Sequence, residues 1–332
     1  RPHGGELYNV MRMTRSRYHS AIRRVRRAAD KIKAQKLFQA SASGKSDLIK
    51  EMKKSHGGKY SPGLPENVAG ANGEEEISEK FRSVYCTLYN SADSSDEMIA
   101  VKETTEQGIS EDSSIEVNKI SCQVVKMAAI SMKKNKGDVS GSFTSDAIRN
   151  APDILFENLA SVFRSWLYHG TVTRSLLACA FMPLLKSSQK DPAETKSYRA
   201  IAGSSLWLKL FDRVILTVWG HLLASGSLQM GYKKKSSTAQ CSFVMMETVR
   251  YFLNHGSNPI MVALDMSSAF DKCRFDILFS KLQGRLPAIV IRALMFIYQQ
   301  QHAWVRWGNS SMFHIANGTR QRSVLSPALF SV

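Results

Sequence analysis

Two short apolar runs, "LLACAFMPLLK" and "NPIMVALDM", lie among longer segments whose apolar residues repeat at helical spacing. Runs of that length and density suit buried strands, and Pro183 in the first predicts an edge or a bulge at that point. Around them, "APDILFENLASVFRSWLYHG" sets Ile154, Leu155, Leu159, Val162, Phe163, Trp166 and Leu167 at helical intervals and stops at Gly170. "SSLWLKLFDRVILTVWGHLL" and "TAQCSFVMMETVRYFLNHG" read as two further helices, and "NPIMVALDM" as a central strand. "DILFSKLQGRLPAIVIRALMFIYQQQ" reads as helix, Gly/Pro turn and helix, and "HAWVRWGNSSMFHIANG" alternates as a hairpin. Helices covering a small sheet define an α+β class.

The chain has 332 residues, of which 43% are hydrophobic, enough for one or two packed domains. Its formal net charge of +17 favours polyanionic partners, nucleic acid first. The longest apolar stretch, "LLACAFMPLL", is about half of what a spanning helix needs, so no membrane association is expected. Five cysteines without a C-x-x-C pair make a poor disulfide framework and predict reduced thiols in an intracellular setting, cytoplasm or nucleus. The sequons at Asn309 and Asn317 then carry no meaning, and "RPHGGELYNV" lacks the apolar segment of a signal peptide. Without an initiating methionine, the chain reads as a fragment.

From Tyr8 to Phe38, Tyr18, Ile22, Val25, Ala29 and Ile32 recur at helical spacing while arginines and lysines cover the rest, among them Arg23, Arg24, Arg26, Arg27 and Lys31. A helix so cationic reads as a nucleic-acid-binding arm over residues 1–60, against the alternative of a solvated surface helix. Gly44-Lys45-Ser46 is not a phosphate-binding loop, because Gln39 stands where the first glycine belongs. "SHGGKYSPGLPENVAGANGEEE" has the composition of a linker and "EEISEKFRSVYCTLYNS" that of a short helix, so 61–123 reads as linker, with a boundary near 120.

Asp265 closes the second apolar run. Taken alone it is an ordinary strand-end aspartate. Its context, "ALDMSSAFD", resembles the first carboxylate motif of polymerase palms, in particular "LD-x-S-x-AFD" of reverse transcriptases from non-LTR (LINE-type) retrotransposons. Three further stretches stand in the order that family shows. "FMPLLKSSQKDPAETKSYRAIAGSSLWLKLFDRVI" resembles its fingers segment, "LQMGYKKKSSTAQC" its "Q-x-GF-x-x-x-x-S-T", and "NGTRQRSVLSPALF" its "G-x-RQG-x-x-LSP-x-LF". The stretches around "GKSDLIKEMKK" and "MKKNKGDVSGSFTSDAI" resemble the region between endonuclease and polymerase, so the likeness covers nearly the whole chain.

The resemblance implies a fragment of the polymerase right hand, with fingers over 124–259 and a partial palm over 260–332. It implies RNA-templated DNA synthesis from a DNA primer with dNTPs and two Mg²⁺ ions. Asp265 is then the catalytic and metal-ligating carboxylate, with the carbonyl of Met266 as a further hard oxygen donor. Phe270 would lie under the incoming sugar, Arg199 and Lys186 would hold the triphosphate, and Gln321 would sit beside nucleotide and template. Each also has an ordinary reading: a core aromatic for Phe270, surface cations for Lys186 and Arg199, a helix cap for Gln321. Asp271 reads as ending the turn or capping the next helix.

Two departures follow from the same comparison. Arg322 stands where the family has glycine, and the chain stops at Val332, before the "F/Y-x-DD" hairpin and the thumb. The expectation is a partial polymerase, inactive by itself. The alternative is a non-catalytic RNA- or DNA-binding protein derived from such an element.

Overall fold

The computed structural model describes residues 65–332, apart from 93–94, 111–112, 188, 234–235, 309 and 320–322, and ten positions between 9 and 24. The chain divides into two compact units, Arg1–Pro65 and Glu66–Val332. In the first, the described positions, Arg23 and Arg24 among them, are helical and exposed. Arg26, Arg27 and Lys31 lie outside the described residues.

The second unit opens with β1 (Asn67–Val68) and β2 (Ala71–Asn72), an antiparallel pair turned through Ala69 and Gly70, whose φ values of 52° and 83° are left-handed. Helix α1 (Gly73–Tyr89) follows directly. Glu74, Glu75 and Glu76 complement the dipole in its first turn. Ile77, Phe81, Tyr85 and Tyr89 recur every fourth residue and are all buried. The short helix read over "EEISEKFRSVYCTLYNS" thus forms, with its apolar stripe buried. The described end of the Gly- and Asn-rich text, residues 66–72, forms a tight hairpin, and the helix after it packs its apolar stripe into the core. The boundary expected near residue 120 falls inside this unit.

Helices α2 (Ser95–Gln107), α3 (Ser113–Asn118), α4 (Cys122–Ile130), α5 (Ser145–Arg149) and α6 (Asp153–His169) come next. Gly170, at φ 63°, ends α6 as its sequence predicts. Strands β3 (Ala178–Leu185) and β4 (Tyr198–Gly203) form an antiparallel hairpin, followed by α7 (Leu206–Trp219) and α8 (Thr238–Asn254). The C-terminal part holds α9 (Phe275–Leu282), α10 (Ala288–Gln299), β5 (His302–Val305), β6 (Phe313–His314) and α11 (Ser326–Phe330).

The main sheet runs β4-β3-β5-β6, with β3 and β5 parallel and the outer pairs antiparallel. The Phe181 carbonyl accepts from Arg306 N–H at 2.8 Å, so alternate residues of β3 aim their backbone groups at β5, whose pairing ends at Phe181–Val305. Pro183 is the next residue aimed that way, and its missing N–H costs no ladder bond. Helix α1 covers the sheet: Tyr89 stacks on Phe181 at 5.0 Å, Tyr85 meets it edge-on at 5.6 Å, and Phe81 packs on Tyr198 and Trp307. Helix α4 packs against α6 and α7, and α10 against α2 and α6. No helix among the described residues is long and apolar enough to cross a membrane.

One expected element does not form. The run "NPIMVAL" was to be a central strand, yet residues 257–266 are in no strand, and Ile260 and Leu264 are each 92% exposed. The interior strand β3 is flanked on both sides by β4 and β5, and no described strand pairs with this run. An apolar pattern specifies a face but cannot supply a hydrogen-bonding neighbour. Helix α8, just before it, is capped by a reciprocal Ser237–Gln240 box but buries none of its residues.

Asp276, in the first turn of α9, is buried and receives Arg274 Nε at 3.1 Å and Nη2 at 2.7 Å. Burial alone would raise its pKa, but the Arg274 hydrogen bonds, the Ile277 N–H and the guanidinium charge outweigh that and hold it below the ordinary value of 3.8. A depressed pKa contributes stability that is complete above the unfolded value and disappears as pH falls through the folded one. Asp276→Asn is therefore expected to cost about 1.5–3 kcal/mol at pH 7. Urea unfolding at descending pH should bring variant and wild type together below the ordinary aspartate range. A constant gap down to pH 2 would refute the assignment.

Candidate functional site

Asp265 and Met266 are exposed, Met266 by 76%. After them the chain reverses. Ser268, at φ 54°, offers its carbonyl to the N–H groups of Asp271 at 2.9 Å and Lys272 at 3.0 Å. Phe270 is thereby held between two aromatic rings from distant parts of the sequence. It stacks on Phe330 at 4.2 Å and 22°, and meets Tyr232 edge-on at 5.7 Å.

The segment 317–319 fastens this turn. Thr319 N–H donates to Phe270 O and Gly318 N–H to Cys273 O, each at 2.7 Å, while Asn317 Nδ2 donates to Asp271 O at 2.7 Å. Gly318 has φ 93°, and a Cβ there would lie 2.7 Å from the Asp271 carbonyl oxygen, so only glycine fits. From the other side, Tyr89 Oη donates to Asp271 Oδ1 at 2.6 Å. Burial first, then the Asp271 charge and hydrogen bond, push the Tyr89 phenol far up, so it stays a donor throughout the ordinary pH range. Asp271 does not cap the following helix, whose N-cap is Arg274.

Helix α7 joins through a buried bond. Ser323 Oγ donates to Asp212 Oδ2 at 2.6 Å, with Asp212 fully buried on α7. At the N-terminus of that helix, Leu206 N–H donates to Asp138 Oδ1 at 2.7 Å. Burial would raise the Asp138 carboxyl, but Ser140, the Leu206 N–H and the Lys209 charge together lower it.

Lys186 and Arg199 occupy the β3–β4 hairpin. Arg199 lies opposite Leu184, and Lys186 continues the ladder with N–H to Ser197 O at 2.9 Å. The two cations are thus diagonal neighbours on one face, both exposed. Lys186 Nζ donates to Lys196 O at 2.7 Å. No described hydrogen bond or ion pair joins either cation to Asp265 or Met266. Gln321 and Arg322 lie outside the described residues.

Asp265 and the Met266 carbonyl have the hard-oxygen chemistry that Mg²⁺ takes. Among the described residues, however, no three His, Cys, Asp or Glu side chains gather as a metal site. These residues therefore do not complete a two-ion donor set.

Sequence reading did not select Tyr89, Tyr232, Asn317, Thr319 or Phe330 for the site. Tyr232 and Phe330 belong to the quoted "LQMGYKKK" and "LSPALF" stretches, so their rings were in view without a partner. Tyr89 lay at the end of the stretch read as a short helix, and its signal was the fourfold spacing from Ile77.

Residues 186–332 match the family described as reverse transcriptase (RNA-dependent DNA polymerase). The chain is 25% identical over 184 residues to a probable RNA-directed DNA polymerase from transposon BS of Drosophila melanogaster, covering 51% of this chain and 20% of that protein. It is 25% identical over 227 residues to the RNA-directed DNA polymerase from mobile element jockey of the same organism, covering 66% and 24%. The aligned part thus spans about a quarter or less of those relatives. Residues 186–332, just under half of the chain, are thus similar to the reverse transcriptase family, and the aligned relatives are RNA-directed DNA polymerases of a transposon and a mobile element.

Proposed function

We propose that this chain supplies the fingers and the first part of the palm of an enzyme that copies an RNA template into DNA from a DNA primer and dNTPs. The observation that carries this reading is the meeting of four separated motifs: Phe330 stacks on Phe270 and Tyr232 meets it edge-on, Thr319 holds the Phe270 carbonyl, and Ser323 holds Asp212. Phe270, half-buried and fixed by its two ring neighbours, presents a rigid wall for the sugar of an incoming nucleotide. Lys186 and Arg199 give the β3–β4 hairpin a cationic face suited to a triphosphate. Asp265 sits on the exposed side of the turn as an anionic oxygen donor, and Mg²⁺, when bound, would supply charge stabilisation at the transferring phosphate.

RNA-templated primer extension tests this, using the longest polypeptide of this reading frame. Extension that depends on Asp265 and on dNTPs supports it. RNA binding without any extension favours the second reading, a non-catalytic nucleic-acid-binding protein.

The arm makes a separate prediction. Changing Arg23, Arg24, Arg26 and Arg27 to Ala should flatten the salt dependence of single-stranded RNA binding by about 0.7 in log–log slope for each phosphate released. Fluorescence anisotropy at several salt concentrations reads this directly, and an unchanged slope removes the arm from the interface.

A further inference from the structure

Away from that turn, the β5–β6 hairpin carries two histidines in register. His302 lies opposite His314. Ile315 N–H donates to Gln301 O at 3.1 Å, a bond that flanks the pair instead of joining it. That pattern marks a non-hydrogen-bonded pair, in which Cα atoms approach to about 4.5 Å and side chains come closest. The ring centroids are 5.3 Å apart with planes at 66°. Both residues are exposed, so burial does not account for the approach.

The remaining hydrogen bonds fix which nitrogens are free. His302 Nδ1 meets Gln300 O at 3.0 Å, and His314 Nε2 meets Gln299 O at 2.7 Å. A carbonyl only accepts, so each of those nitrogens carries the proton. His302 Nε2 and His314 Nδ1 are left with lone pairs. A carbonyl on the far nitrogen is the usual outer partner of a metal-bound histidine. On the adjoining strand the residue aligned with His302 is Ala178, whose methyl leaves room over the rings.

We propose that His302 and His314 together bind a transition-metal ion of the zinc type through their free nitrogens, with water completing its shell. With Zn–N near 2.0–2.1 Å and a tetrahedral angle, two imidazoles on one ion have centres roughly 5 Å apart, which the hairpin already provides. Neutral imidazoles without a carboxylate select zinc, nickel or copper over magnesium or calcium. The site is thus chemically distinct from any Mg²⁺ used in polymerisation. The ion would clasp β5 to β6, and β6 leads into residues 316–319, whose N–H groups hold the carbonyls of Tyr89, Cys273 and Phe270. Its role is to steady the strand that enters that loop.

The test titrates untagged, metal-free chain with Zn²⁺ by calorimetry near pH 7.5, with the exposed thiol of Cys241 removed as Cys241→Ser. His302→Gln and His314→Gln are compared with His221→Gln, an exposed control. One ion per chain is expected, weakened at least about tenfold in each of the first two variants and unchanged in the control. Excess Mg²⁺ should not compete, and acidification should release the ion, because protons compete with a metal for the nitrogen lone pairs. The pH titration uses the parent chain, so it stands even where a variant misfolds. Zn²⁺ should also raise the Tm of the parent but not of the two variants. Binding that survives in both variants, competition by Mg²⁺, or retention at pH 5 overturns the proposal.

Discussion

Asp265→Asn, made in the longest polypeptide of this reading frame, is expected to lower RNA-templated primer extension by at least about 10²-fold. The change keeps size and shape and removes only charge. An amide offers no anionic oxygen to hold Mg²⁺ or to offset the transferring phosphate. Asp265 is exposed, so folding should survive and Tm should move by no more than the scatter between preparations. RNA affinity should persist as well, since the cations proposed to meet phosphate lie elsewhere. A variant that extends primers as fast as wild type would show that the carboxylate has been misassigned. One that loses RNA binding together with activity would point to a disturbed turn.

Phe181→Ala is expected to cost about 3–5 kcal/mol, a large share of the roughly 5–15 kcal/mol that holds a typical domain together. Phe181 is 2% exposed and is the ring on which helix α1 rests: Tyr89 stacks on it, Tyr85 meets it edge-on and Phe313 of β6 lies at 5.9 Å. Its removal leaves a cavity between helix and sheet. Tyr89 would also lose the support that aims its hydroxyl at Asp271, so the turn after Asp265 should loosen before global unfolding. Urea denaturation gives the stability change, and amide exchange at Gly318 and Thr319 gives the local one. A loss under about 1 kcal/mol would mean that α1 does not use this contact.

What was legible depended on whether an element carries its own instructions. Helix α6 does: apolar spacing defines its buried face and Gly170 its end, and both stand in the structure as read. The β3 run also identified itself, and the proline within it sits where the neighbouring strand has ended. The run after Asn258 met the same criteria and forms no strand, because pairing is a property of two segments. Helix α1 was read as a helix, but its burial was not, because its Gly- and Asn-rich preface set it among linker text while its four well-spaced apolar residues pack into the core. In the candidate site, Asp265 and Phe270 were chosen by motif, whereas the rings around Phe270 and the Asp271–Tyr89 bond became visible only once distant segments met.

The bare stretch from α8 through Leu264 has a practical consequence for handling the protein. Phe243, Met246, Tyr251, Phe252, Ile260, Val262 and Leu264 all face water, within a few turns of chain that carry little charge. Uncharged, β-prone segments left open in this way stack edge to edge with copies of themselves. Concentrated preparations of the 332-residue polypeptide should therefore precipitate reversibly at first and irreversibly on standing. Replacing Val262 with Lys should keep the material clear at several times the concentration, a gain in colloidal lifetime obtained without touching the folded core.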